Sequence, residues 1–155
     1  MGQLEVGTRG KRHHRNLIRL ITAIHTWLYR LTGGVIGGLI SGAPQLLLTT
    51  IGRKSGRKFT TPLLCLPQGA HLIVVASYGG QATAPHWAQN LMANPQGWVQ
   101  IGTHHWEIRA ELVEPAERER LWPLMCRYYP GYLDYQTKTD RQIPLLRLTP
   151  LWALE

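Results

Sequence analysis

Residues 46–64 read LLLTTIGRKSGRKFTTPLL, which places two apolar runs on either side of a short basic loop. The two runs predict β-strands, because Leu, Ile, Thr and Phe suit a pleated, half-buried surface. Gly52 and Gly56 supply the backbone freedom that a tight connection needs. The loop also carries four mutually repelling cations: Arg53, Lys54, Arg57 and Lys58. Such a loop is either a solvated basic turn or a site for an anion.

Positive charge is concentrated in the first part of the 155-residue chain, whose net charge is +8. Residues 1–58 hold ten Lys or Arg and one acid, whereas residues 59–155 hold seven Lys or Arg and eight acids. No Asp or Glu occurs between Glu5 and Glu107. Because this span has no carboxylates, it can supply neither carboxylate ligands for a divalent metal nor a catalytic carboxylate pair. Its positive charge suits an anionic ligand. We therefore expect an anionic ligand and no metal site.

Composition predicts one globular domain, since 44% of the residues are hydrophobic and 17% are charged. We divide the chain into a flexible basic arm, residues 1–15, and a single domain, residues 16–155. We expect neither a signal peptide nor a membrane-spanning segment, because the arm lacks a cleavable apolar core and glycines interrupt the uncharged run 31–52. Cys65 and Cys126 are expected to be free, buried thiols in a reducing compartment.

The order of elements predicts a small barrel. A helix at about 16–31 carries an apolar stripe flanked by arginines, so it either packs on the core or lies on an anionic membrane surface. Further helices are expected at about 85–94 and 115–128, and strands at about 45–51, 59–66, 71–77, 98–102, 104–113 and 143–148. Short antiparallel strands with peripheral helices indicate an α+β protein built on a small antiparallel barrel.

The motifs favour chemistry carried by a bound cofactor. GRKSGRK lacks the spacing of a phosphate-binding loop, and neither a nucleophile elbow nor HExxH occurs. There remain the basic loop, small residues after the third strand, a Trp-bearing helix and a group of tyrosines near residue 132. A phenol can donate a hydrogen bond or a proton to a substrate oxygen, or it can simply pack. This inventory fits an enzyme that grips and orients a redox cofactor.

Several blocks in the same order make the chain resemble the deazaflavin-dependent nitroreductase family. The blocks are LYR…GG…GG within residues 28–38, LLLTTIGRKSGR at 46–57, TTPLL at 60–64, VVASYGG at 74–80, PHWAQNLMANP at 85–95 and YPGYLDYQTKTDRQIP at 129–144. The resemblance covers about residues 16–149. It implies a split β-barrel, related to FMN-binding oxidoreductases, that binds coenzyme F420.

The same resemblance implies the cofactor site. Arg53, Lys54 and Ser55 would hold the phosphate and acidic tail of the coenzyme, and Arg57 and Lys58 would add charge. The side chain of the coenzyme would be lined by Phe59, Thr60, Thr61, Pro62, Leu63 and Leu64. The deazaflavin ring would be clasped by Val75, Ala76, Ser77, Tyr78, His86, Trp87, Ala88, Gln89 and Asn90. Tyr132 would close over the ring, and the acceptor would be bordered by the other candidate catalytic residues, Ser77, Tyr129 and Tyr135.

The implied activity is hydride transfer from reduced F420 to a small electrophilic acceptor, such as a quinone, a nitroaromatic or an activated enone. Two alternatives stay open: an FMN-binding split-barrel reductase, and a non-catalytic basic module that binds a membrane or another anion. We expect a cytoplasmic enzyme that does not bind nucleic acid. A lipid quinone as acceptor would favour peripheral contact between the first helix and the inner face of the cell membrane.

Overall fold

The structure is a computed structural model that describes residues 3–9, 15–31, 39–40 and 43–153. The helices are α1 (Arg15–Leu31), α2 (His86–Ala93), α3 (Pro115–Tyr128) and α4 (Gly131–Thr137). The strands are β1 (Leu39–Ile40), β2 (Ala43–Ile51), β3 (Lys58–Gln68), β4 (His71–Val75), β5 (Gln96–Ile101), β6 (His104–Leu112) and β7 (Leu145–Pro150). The paired glycines at 33–38 and residues 10–14 of the predicted arm lie outside the described residues.

Six strands close into an antiparallel barrel in the order β2-β3-β4-β7-β6-β5, and β5 pairs back to β2. The apolar runs at 46–64 form the β2–β3 hairpin, whose register runs from Ile51 opposite Lys58 to Gln45 opposite Leu64. The prediction of a small antiparallel barrel with peripheral helices is therefore confirmed.

Strand β3 changes partner halfway along its length. Lys58 to Leu64 pair with β2, whereas Cys65 to Gln68 pair with β4. Within the described ranges, no strand pairs with the second edge of residues 58–64. Pro62 lies in this half, where a residue without an N–H group is tolerated because a ladder runs on one side only. The barrel wall is thus split beside the hairpin.

Alternation along the strands separates two apolar clusters. In β4, Val74 packs into the cluster inside the barrel, whereas Ile73 and Val75 pack into a second cluster beneath α3 and α4. Leu146 and Leu145 divide in the same way on β7. Period-2 alternation therefore lets one sheet support both the barrel interior and an outer helical layer. Cys65 and Cys126 are free and buried, as predicted.

One element differs from the prediction, and for a second the prediction had left two alternatives open. The Tyr-rich segment, for which no helix was predicted, forms α4, because Pro130 at its N-cap starts the helix rather than ending one. In α1, the members of the apolar stripe whose side chains the structure describes are more than half exposed rather than packed on the core: Leu17, Leu20, Ile21, Ile24 and Trp27. No helix in the described part of the chain is long and apolar enough to cross a membrane.

Residues 3–9 run beside the segment that precedes β7. The Thr8 backbone N–H donates to Asp140 Oδ1 at 2.7 Å, and Glu5 Oε2 accepts from the Gln142 N–H at 2.8 Å. The Thr8 hydroxyl lowers the pKa of Asp140 through its hydrogen bond to that carboxylate. The flexibility assigned to the arm 1–15 stays a prediction.

Candidate active site

An open cavity of about 1060 Å³ lies among the β2–β3 hairpin, α1, α2 and the segment that follows β4. The structure brings together in its lining many of the residues that the resemblance implied: Arg53, Lys54, Ser55, Phe59, Thr60, Thr61, Leu63, Val75, Ser77, Tyr78, His86, Trp87 and Asn90. The split half of β3 provides one wall, so the unusual pairing of that strand creates the opening.

The hairpin tip is a tight turn between Ile51 and Lys58. The Gly52 N–H donates to the Arg57 carbonyl at 2.7 Å, and the Gly56 N–H donates to the Gly52 carbonyl at 2.8 Å. Gly56 has φ of 68°, which favours glycine, and a Cβ at Gly52 would lie 2.6 Å from the Phe59 ring. Both glycines are therefore needed to place Arg53, Lys54 and Ser55 beside the cavity.

Helix α2 holds Arg53 in place. The Arg53 guanidinium donates to Asn90 Oδ1 at 3.1 Å and to Gln89 Oε1 at 2.7 Å, and its backbone N–H donates to Asn90 Oδ1 at 3.2 Å. The buried Asn90 amide in turn donates to Thr50 Oγ1 at 3.1 Å. Neutral amide oxygens orient the guanidinium without neutralising it, so its positive charge remains available to a ligand.

The segment after β4 carries local strain at the cavity wall. Tyr78 has φ of 48°, a left-handed conformation that a non-glycine residue rarely adopts. Such strain is frequent at functional sites. The Ser77 hydroxyl makes no capping bond in the 3-10 turn that follows it and lies in the cavity lining.

Arg141 fastens this segment from behind. Its Nη2 donates to the Ala76 carbonyl at 3.1 Å and the Ser77 carbonyl at 2.8 Å, and its Nε donates to the Gln81 carbonyl at 2.9 Å. Arg141 is 2% exposed, and burial lowers the pKa of its guanidinium. One buried side chain therefore sets the backbone path of the wall that bears Tyr78.

Several implied residues lie outside the lining. Lys58 Nζ lies 3.9 Å from the centroid of the Trp98 ring, and Gln89 bonds Arg53 instead of facing the cavity. The others that do not line the cavity are Arg57, Pro62, Leu64, Ala76, Ala88, Tyr129, Tyr132 and Tyr135.

The three implied catalytic tyrosines form a cluster outside the cavity lining. The hydroxyl oxygens of Tyr129 and Tyr135 lie 3.0 Å apart and form a hydrogen bond. The Tyr132 ring is edge-on to the Tyr129 ring, with the two ring centroids 5.1 Å apart. The hydrogen bond between Tyr129 and Tyr135 raises the pKa of Tyr135 to about 12, and burial raises the pKa of Tyr132. Val75 lines the cavity and belongs to the same apolar cluster as Tyr132, so the cavity and the tyrosines share this residue.

Helix α1 supplies lining residues that the sequence analysis did not identify: Arg19, Thr22, Ala23, Thr26 and Trp27. Most of these recur at helical spacing on the face opposite the apolar stripe. The polar face of α1 could have predicted these lining residues, but the sequence analysis considered only the apolar stripe on the opposite face. Within the described ranges, no three His, Cys, Asp or Glu side chains are placed to hold a metal ion.

The lining combines three chemistries. Cations and a hydroxyl lie at the hairpin tip, apolar side chains such as Val75 and Trp87 form flat walls, and Ser77 adds a hydroxyl at the strained segment. This set fits a planar ring system with an anionic tail, because the ring packs on the apolar walls while the cations bind phosphate or carboxylate.

Comparisons with known proteins agree with this geometry. A family model described as F420H(2)-dependent quinone reductase matches residues 21–150. An F420H(2)-dependent quinone reductase of Mycobacterium tuberculosis is 38% identical over 130 residues, 81% of this chain and 87% of the relative. A solved F420-H2 dependent reductase is 42% identical with a TM-score of 0.62, and the match covers 68% of this chain and 93% of that one. A heme storage protein of Vibrio cholerae, 19% identical with a TM-score of 0.53 over 68% of this chain and 80% of that one, shares the fold alone.

Proposed function

Because this chain belongs to the F420H(2)-dependent quinone reductase family, we propose that the cavity beside the β2–β3 hairpin is its coenzyme F420 site. The chain is an oxidoreductase that transfers hydride from reduced coenzyme F420 to a quinone-type acceptor. F420 is therefore the cofactor, in preference to the FMN that the sequence analysis kept open as an alternative.

The observation that carries the location is the pairing of cations with an apolar wall in one cavity. When bound, the coenzyme supplies the hydride from its deazaflavin ring. Arg53 and Lys54 are exposed cations in the lining, and Ser55 lies beside them. Charge-assisted hydrogen bonds to phosphate are worth roughly 1.5–3 kcal/mol each. We assign the phosphate and acidic tail to this end and the ring to the wall of Val75, Tyr78 and Trp87.

The remaining implied residues act at longer range in this proposal. Arg57 and Lys58 contribute to the positive field around the tip without lining the cavity. Ser77 borders the acceptor and donates a hydrogen bond to it. Tyr129, Tyr132 and Tyr135 stay candidate catalytic residues, but because none of them lines the cavity, this role requires α4 to move toward the opening.

We further propose a lipid quinone as the acceptor and peripheral contact with the inner face of the cell membrane. The outward face of α1 carries four exposed apolar side chains that do not line the cavity, Leu17, Leu20, Ile21 and Ile24, and its inward face lines the cavity. A helix with this division can lie in a membrane interface. A quinone dissolved in the bilayer would then reach the site from beneath α1. Nitroaromatics and activated enones remain alternative acceptors.

The test is a titration of F420 fluorescence with wild-type protein and the double variant Arg53→Ala/Lys54→Ala. Loss of two charge-assisted contacts is expected to weaken F420 binding at least about 100-fold. The matched control, Arg109→Ala/Arg127→Ala, removes two exposed cations outside the lining and is expected to bind as the wild type does. Equal losses in both double variants, or none in the first, would place the coenzyme elsewhere.

A further inference from the structure

Helix α1 faces the cavity with an unsatisfied hydroxyl. Arg19, Thr22, Ala23 and Thr26 follow the i, i+3, i+4, i+7 spacing of one helix face, and all four line the cavity. Thr26 is 8% exposed, and its Oγ1 has no hydrogen-bond partner among the described residues. A threonine within a helix often bonds the carbonyl one turn earlier, but this one does not.

A ligand is the natural partner for this hydroxyl. Leaving a buried hydroxyl without a partner costs folding free energy, so valine would suit a purely structural position at least as well. The apolar walls formed by Leu63, Val75 and Trp87 offer no acceptor atom in their side chains. We therefore expect the Thr26 hydroxyl to donate a hydrogen bond to a molecule that binds in the cavity.

The position of the hydroxyl favours the electron acceptor over the coenzyme. The proposed function assigns the tail of the coenzyme to the hairpin tip and its ring to the wall of Val75, Tyr78 and Trp87, whereas Thr26 lies on α1. A neutral hydroxyl there suits the neutral carbonyl oxygen of an acceptor. A donor aimed at that oxygen also stabilises the negative charge that develops there on reduction.

We infer that Thr26 Oγ1 donates a hydrogen bond to a carbonyl oxygen of the quinone-type acceptor, an inference that rests on the proposed function. In the overall reaction the quinone gains one hydride from the reduced coenzyme and one proton, giving the hydroquinone. Thr26 keeps its own proton throughout. It is a binding residue that orients the acceptor on the wall formed by α1.

The test uses protein loaded with oxidised F420. This loaded protein can bind menadione but cannot reduce it, because the oxidised coenzyme has no hydride to transfer. Thr26→Val keeps the shape of the side chain and removes the hydroxyl, whereas Thr26→Ser keeps the hydroxyl. Calorimetric titration with menadione is expected to show about tenfold weaker binding for Thr26→Val and less than twofold change for Thr26→Ser. F420 affinity, measured by fluorescence, is expected to stay within twofold in both variants. The melting temperature of free Thr26→Val is expected to equal or exceed that of the wild type.

Two outcomes overturn the inference without touching the proposed function. Menadione affinity unchanged in Thr26→Val would show that the hydroxyl does not meet the acceptor. Weakened F420 binding with menadione affinity unchanged would assign the hydroxyl to the coenzyme instead. Failure of wild-type protein to bind F420 at all would refute the proposed function itself, which keeps the two failures distinguishable.

Discussion

At the scale of single residues, Arg141 couples folding to the shape of the site. Its guanidinium bonds three backbone carbonyls of the segment 76–81 while being almost fully buried. A buried cation is costly, and burial lowers its pKa, yet its bonds satisfy carbonyls that would otherwise lose their hydrogen-bond partners. The strained Tyr78 conformation persists because its flanks are tied in this way.

The substitution Arg141→Met is expected to lower the free energy of unfolding by at least about 3 kcal/mol, because it leaves three carbonyls without their donor. Arg141→Lys keeps the charge but cannot reproduce the forked geometry, so an intermediate loss is expected. Urea unfolding measures both changes. Arg127→Met, on the exposed side of α3, is the control and is expected to shift stability by less than about 0.5 kcal/mol. Equal stability of Arg141→Met and wild type would contradict this account.

At the scale of elements, α1 is amphipathic with its faces reversed relative to an ordinary core-packing helix. Arg19, Thr22 and Thr26 line the cavity together with Ala23 and Trp27, whereas Leu17, Leu20, Ile21 and Ile24 are exposed and lie outside the lining. Exposed apolar area on this scale is unfavourable in water and becomes favourable once it enters a lipid interface. In the proposed function, one face of α1 therefore lines the acceptor site and the other contacts the membrane.

The outward face predicts binding to lipid vesicles. Wild-type protein is expected to co-sediment with vesicles that contain anionic lipid, because the chain is basic and α1 offers apolar side chains. Leu20→Gln/Ile24→Gln is expected to weaken this binding about tenfold or more, since each change removes apolar area from the interface. Leu133→Gln/Trp152→Gln removes exposed apolar side chains elsewhere and is expected to bind as wild type does. Wild-type protein that remains in the supernatant would refute membrane contact.

The elements differ in how well local sequence predicted them. The β2–β3 hairpin was predictable because two apolar runs, two glycines and the basic loop between them all indicate the same structure. Helix α4 was not, since Pro130 and Gly131 read equally well as a turn, and only packing of Tyr132 against the second cluster favours a helix. The partner change of β3 at Cys65 could not be predicted from local sequence either, because it depends on where β2 and β4 pair with it.

The candidate site shows the same division. The hairpin tip, the segment 75–78 and α2 could be inferred because each is a contiguous motif whose residues line one cavity. The contribution of α1 could not, because nothing local states which face of an amphipathic helix turns inward. The role of Arg141 could not be predicted for a related reason, because its partners are backbone carbonyls about sixty residues away in the sequence.

At the scale of the whole molecule, several buried or half-buried groups hold their protons more tightly in the folded protein than in the unfolded chain. Burial raises the pKa of Cys65 to about 12 and also raises the pKa values of Cys126 and Tyr132, and a hydrogen bond to Tyr129 raises that of Tyr135 to about 12. The ordinary pKa values of these groups are about 8.5 for Cys and about 10 for Tyr. The unfolded chain therefore loses these protons first as the pH rises. The contribution of these groups to the free energy of unfolding is therefore fully present below about pH 8.5 and declines above it.

Cys65 makes this decline measurable. Between about pH 9 and about pH 12 its thiol stays protonated in the folded protein and ionised in the unfolded chain, so it lowers the unfolding free energy by about 1.4 kcal/mol per pH unit. Cys65→Ala is expected to remove that share of the slope in urea unfolding across this range, although it also lowers stability at neutral pH by creating a cavity. Val74→Ala, at the position paired with Cys65, is the matched control: it creates a cavity too but removes no titrating group, so its slope is expected to equal that of wild type. Identical slopes in the two variants would show that the thiol does not govern the alkaline loss of stability.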